Sequence, residues 1–160
     1  MNLMPAAAPP PIPTADTDTA TRLRVAIGRL SRRLRDTAAG AEAGLTPTRI
    51  SVLLNVDRAG PIRIAELAEQ ESLNPTMLSR AISHLVDAGA LERASDDGDR
   101  RAAWVTVTKE GHRLAERMRR ERTDALNHAL IGLSAEDRRM LERALPALEG
   151  LAAQLKERHP

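Results

Sequence analysis

The sequence predicts a mainly α-helical chain with one small β-hairpin. Three observations point there. Apolar residues recur at helical spacing along most of the 160 residues: Leu23, Ile27, Leu30 and Leu34 early, Leu78, Ala81, Ile82 and Leu85 in the middle, and Leu141, Leu145, Leu148, Leu151 and Leu155 late. Strand-like alternation is confined to Val105 and Val107 with Thr106 and Thr108. Aromatic residues make up 1% of the chain, the single Trp104. The core must therefore be Leu, Ile, Val, Ala and Met, which suits helices better than sheets.

The elements follow in order. Residues 1–18 are rich in Pro and Ala, present no periodic apolar face and are expected to be disordered. A helix is expected from Thr19, and Gly40 and Gly44 loosen the chain after it. Thr46-Pro47 starts the next helix, because Thr can cap and Pro lacks an N–H that would be unpaired there anyway. Gly60-Pro61 ends it, and Pro61-Ile62-Arg63 fits a short extended piece. Ile64 to Glu69 forms a short helix, and Asn74-Pro75 opens another that Gly89 closes in the left-handed conformation. Ala90 to Ser95 and Ala102 to Thr108 are the strands of a hairpin around Asp96-Asp97-Gly98-Asp99. Thr108 caps a long helix, and Ser134 and Asp137 stand at capping-box spacing before a last helix that Pro146 should kink or relax. The terminal helices carry more apolar stripe than so small a domain needs, so they are expected to pack against a second copy.

Composition removes several function classes. There is no cysteine, which excludes disulfides, thiolate zinc sites and thiol redox sensing. No apolar run approaches the roughly 20 residues that cross a bilayer. The N-terminus has no basic start and is broken by prolines, unlike a secretory signal, so a cytoplasmic protein without a membrane partner is expected. His84, His112, His128 and His159 lack metal-ligand spacing, and no Gly-rich phosphate loop or nucleophile elbow is present. A calcium loop at Asp96, Asp97 and Asp99 fails on spacing. The expectation is a protein that is not an enzyme and holds no metal or cofactor.

The helix from Pro75 leaves Thr76, Met77, Ser79, Arg80, Ser83 and His84 facing outward. Short polar groups let a helix sit close in a DNA major groove about 12 Å wide, where an arginine can take guanine O6 and N7. An ordinary solvated face would serve equally from this helix alone. At the hairpin tip, an arginine can enter the narrow, strongly negative minor groove, and a neighbouring carboxylate can orient it. Asp99, Arg100 and Arg101 stand at that tip.

Helix, turn, helix and hairpin from Leu67 to Gly111 together resemble the winged helix-turn-helix of the MarR family of bacterial transcription regulators. The resemblance is carried by the Leu67-Ala68-Glu69 opening, Arg80, the L-x-x-x-G-x-x-x-R pattern at Leu85, Gly89 and Arg93, Asp99 with Arg101, and the Thr-x-x-Gly of Thr108 and Gly111. It extends over about residues 19–157. It implies a homodimer held by its terminal helices, with recognition helices in successive major grooves of a near-palindromic operator. It also implies Arg101 in the minor groove and release by a small, often phenolic, effector. The absence of Cys, Tyr and Phe departs from the family's thiol sensors and from an aromatic-lined ligand pocket.

The resulting expectation is a sequence-specific regulator of double-stranded DNA, a repressor. Its parts are a tail (1–18), an N-terminal dimerisation helix (19–45), a winged helix-turn-helix (46–108) and C-terminal dimerisation helices (109–160). Thr76, Ser79, Arg80, Ser83 and His84 read or position on the major groove. Arg101 enters the minor groove, Asp99 orients it and Arg100 meets phosphate. One count favours an alternative, a winged-helix protein–protein interaction module. From Arg63 to Arg101 there are five basic residues (63, 80, 93, 100, 101) and eight acidic ones (66, 69, 71, 87, 92, 96, 97, 99), a net of 5 − 8 = −3. Between Arg22 and Arg35 lie six arginines and no acid.

Overall fold

The computed structural model describes residues 14–95 and 103–157. Residues 14–36 and 37–157 fall into separate compact units and are taken in turn. The first is one helix, α1 (Thr14–Arg33), ending on Arg32 and Arg33. It begins five residues before the expected Thr19. Asp18, in its second turn, lies 3.9 Å from Arg22 one turn on.

The second unit opens with α2 (Ala38–Glu42), which takes the place of the loop expected around Gly40. The reason is partly local, since Thr37 Oγ1 accepts the Gly40 N–H at 3.1 Å, and partly tertiary. A Cβ on Gly40 would stand 2.6 Å from Ile50 Cδ1, so this glycine lets α2 approach α3. The Glu121 carboxylate, from far along the chain, accepts the Ala39 N–H at 3.1 Å. Arg117 also reaches Glu42 at 2.6 Å.

Next come α3 (Pro47–Ala59), β1 (Ile62–Arg63), α4 (Ile64–Glu71) and α5 (Pro75–Asp87). Thr46 and Asn74 cap α3 and α5 as the sequence predicts, accepting from Arg49 N–H and Met77 N–H. Gly89 takes φ +71°, which releases the chain into β2 (Leu91–Ser95). β3 (Ala103–Val107) lies between β1 and β2, antiparallel to both. α6 (Lys109–Ile131) follows under the Thr108 cap, and α7 (Ala135–Glu157) stays helical on both sides of Pro146.

One core binds α2 to α6 and the sheet. Val52, Leu53 and Val56 of α3, Leu67 of α4, and Leu78, Ile82 and Leu85 of α5 are fully buried with Val105 of β3 and Met118 of α6. The sequence motifs acquire structural causes here. Leu85 is core, Gly89 supplies the positive φ, and Thr108 donates its hydroxyl to Gly89 O at 2.6 Å. Gly111 brings the first turn of α6 against the Ala90 backbone, where any Cβ would collide.

Candidate nucleic-acid interface

α5 is amphipathic in the sense that matters for recognition. Leu78, Ala81, Ile82 and Leu85 face the core, which fixes the opposite face outward. Thr76, Met77, Ser79, Arg80 and Ser83 are exposed and His84 is half-buried. Ser79, Arg80 and Ser83 follow at three- and four-residue spacing, so they share one side of the helix. His84 divides its surface between that side and the packing. The N-terminus of α5 is capped, with Asn74 Oδ1 accepting the Met77 N–H at 2.8 Å. α4 stands before it across the left-handed Ser72 (φ 51°) and is tied to α3 by Glu71, which accepts from Ser51 Oγ at 2.6 Å and Asn55 Nδ2 at 2.7 Å.

The hairpin register pairs Arg93 with Val105 and Ala94 with Trp104. Alternation therefore puts Leu91, Arg93 and Val105 on the face turned to α5, and Trp104 on the other. Trp104 is half-buried there, with the Arg63 guanidinium 5.3 Å from its ring centroid, within cation–π range. Arg93 Nη2 donates to Ser83 Oγ at 3.0 Å. Sequence reasoning used Arg93 only as a motif position. The available signal was its spacing from Leu91, which places a charge on the inward side of a strand. Asp99, Arg100 and Arg101 lie outside the described residues.

A buried carboxylate also joins the reading unit to the long helix. Asp57 of α3 has a side chain 1% exposed, with His112 Nδ1 at 2.6 Å and Arg119 Nη1 at 2.5 Å, both from α6. Burial pushes its carboxyl upward, but hydrogen bonds and charge from His112 and Arg119 outweigh that and leave it below the usual range. The same hydrogen bond and charge from Asp57, helped by Glu116, raise the His112 imidazole.

An outward polar helix beside a three-stranded antiparallel sheet defines a winged helix-turn-helix fold. The model of the MarR family matches residues 45–103. An HTH-type transcriptional regulator of Mycobacterium tuberculosis is 31% identical over 130 residues, covering 81% of this chain and 90% of the relative. An HTH-type transcriptional repressor of the same species is 30% identical over 111 residues, covering 69% and 80%. The crystal structure of a putative transcriptional regulator from Pseudomonas aeruginosa superposes with a TM-score of 0.72 at 29% identity, covering 88% of this chain and 99% of that one. The chain belongs to the MarR family.

Proposed function

We propose that the protein is a cytoplasmic, homodimeric repressor that binds a near-palindromic operator in double-stranded DNA. The observation that carries this reading is the exposed face of α5, with short polar groups around Arg80 on a helix whose other face is locked in the core. Thr76, Ser79, Arg80, Ser83 and His84 read or position on the major groove. Arg101 enters the minor groove, oriented by Asp99, and Arg100 contacts phosphate. The repressor sign is supported by the name of one M. tuberculosis relative.

The dimer is supported by exposed apolar surface among the described residues. Leu141, Leu145, Leu148, Leu151 and Leu155 of α7 are 36–54% exposed, and Val25, Ile27 and Leu30 of α1 are exposed too. A helix of this kind gains most of its stability from burying its stripe, so residues 19–45 and 109–160 form the dimerisation region. A small-molecule effector that releases DNA completes the proposal, on the strength of the family alone.

Binding of selected DNA tests it. Arg80→Ala should lower affinity for the selected site by about 1–3 kcal/mol and relax the preference at one base pair per half-site. Arg101→Ala should weaken operator binding, and unchanged affinity would remove the wing assignment. The acidic excess from Arg63 to Arg101 favours the protein–protein module instead. That reading wins if the wild-type protein enriches no palindrome at moderate salt.

A further inference from the structure

Arg93 sits where a strand residue can reach the flank of a helix. Leu91, two positions before it on the same face of the hairpin, is 2% exposed and packs in the core. Arg93 lies one step beyond, at the exposed edge, and its guanidinium crosses to α5 to meet the Ser83 hydroxyl at 3.0 Å. A guanidinium has donors only. Ser83 Oγ must therefore accept, and its hydrogen is directed elsewhere.

We propose that Arg93 is a positioning residue for base reading, which presents Ser83 to DNA as a hydrogen-bond donor. This rests on the reading of α5 as the recognition helix. A hydroxyl whose oxygen accepts from a cation is polarised: its hydrogen becomes a stronger donor and its remaining lone pair a poorer acceptor. Ser83 thereby loses the ambivalence of a free serine, which can suit either a donor or an acceptor. Facing a base edge, it takes guanine N7 or O6, adenine N7 or thymine O4, and disfavours the cytosine amino group. The same hydrogen bond links β2 to α5.

Selection from randomised duplex DNA tests the proposal with the full chain and its Ser83→Ala, Arg93→Ala and doubly substituted variants. The wild-type protein should prefer an acceptor at the edge facing Ser83, at one position per half-site. Ser83→Ala should lose that preference by roughly fivefold to tenfold, the worth of one hydrogen bond. Arg93→Ala should relax the same position so that cytosine is admitted, and the double variant should be no worse there than Ser83→Ala, because both act through one group. If the losses add, or if Ser83→Ala keeps the preference, the proposal is overturned. If Arg93→Ala weakens all sequences alike and lowers the salt slope by about one, Arg93 is a phosphate contact and the proposal also fails. Should Arg93→Ala not fold, Arg93→Met, which keeps the stem but donates nothing to Ser83 Oγ, takes its place with the same expected outcomes. Failure of the wild-type protein to enrich any sequence is a different result: it removes the recognition-helix reading itself, and the proposal falls with it.

Discussion

Gly111→Ala should destabilise the protein although it places a better helix former in a helix. Gly111 lies in the first turn of α6, where its N–H donates to Thr108 Oγ1 at 3.0 Å. An alanine Cβ there would fall on the Ala90 carbonyl, 2.8 Å from its carbon and 3.0 Å from its Cα. Ordinary van der Waals contact begins at 3.4 Å; the carbon alone demands a separation of 3.4 − 2.8 = 0.6 Å between α6 and the Ala90 backbone, and the carbonyl oxygen, which lies nearer still, demands more. No rotamer relieves the clash, because the obstruction is backbone. Separation stretches the Thr108 N–H bond to Ala90 O at 3.1 Å and the Thr108 hydroxyl bond to Gly89 O at 2.6 Å. Two hydrogen bonds at about 1 kcal/mol each and overpacking of about 1–3 kcal/mol oppose a helix gain of about 1 kcal/mol. The net is a loss of about 2–4 kcal/mol. Urea denaturation followed by far-ultraviolet circular dichroism should show a lower midpoint at an unchanged slope. A variant as stable as the wild-type protein, or more stable, would refute the close approach.

Three further outcomes follow from the same contacts. Asn74→Ala removes the acceptor for Met77 N–H and should cost about 1 kcal/mol in urea denaturation, with Asn74→Ser restoring most of it. Leu145→Asp with Leu148→Asp should give a monomer by size-exclusion chromatography with light scattering, with operator affinity falling in parallel. Asp57 and His112 should make stability depend on pH in two opposite senses. His112 is raised in the folded state, so its contribution is full below about pH 6.5 and is lost as pH rises through the folded value. Asp57 is lowered, so its contribution is full above about pH 3.9 and is lost as pH falls through its folded value. Wild-type urea midpoints should therefore decline above about pH 6.5. Asp57→Asn should flatten that decline, and an identical decline in the variant would exclude the pair as its source.

Local signals carried most of the fold into the sequence. Thr46-Pro47, Asn74-Pro75, Gly89 and Thr108 could be read because caps and positive-φ glycines act within a few residues of themselves. α2 escaped that reading because only part of its cause is local: Thr37 caps it by accepting the Gly40 N–H, but Gly40 reads as a loop signal until its missing Cβ is seen to admit Ile50, and the Ala39 N–H is held by distant Glu121. The Asp57 cluster was equally illegible, since His112 and Arg119 meet Asp57 only once α3 packs on α6. On α5 the periodicity of Leu78, Ala81, Ile82 and Leu85 was enough to place Ser79, Arg80 and Ser83 outward. It placed His84 less well, because a residue at the margin of the buried stripe divides its surface between solvent and core. The partner of Ser83 came from another strand, and only the hairpin register brought Arg93 to it.

Selection of bound genomic fragments by the full-length protein at moderate salt, followed by footprinting, tests the central claim most directly. The account predicts an enriched near-palindrome whose two protected half-sites are centred about 34 Å apart, one turn of the duplex. It also predicts that Arg80→Ala binds the enriched site about 1–3 kcal/mol more weakly and relaxes it at one base pair per half-site. Enrichment of no sequence, or of a sequence that Arg80→Ala binds as tightly as the wild-type protein, would contradict it.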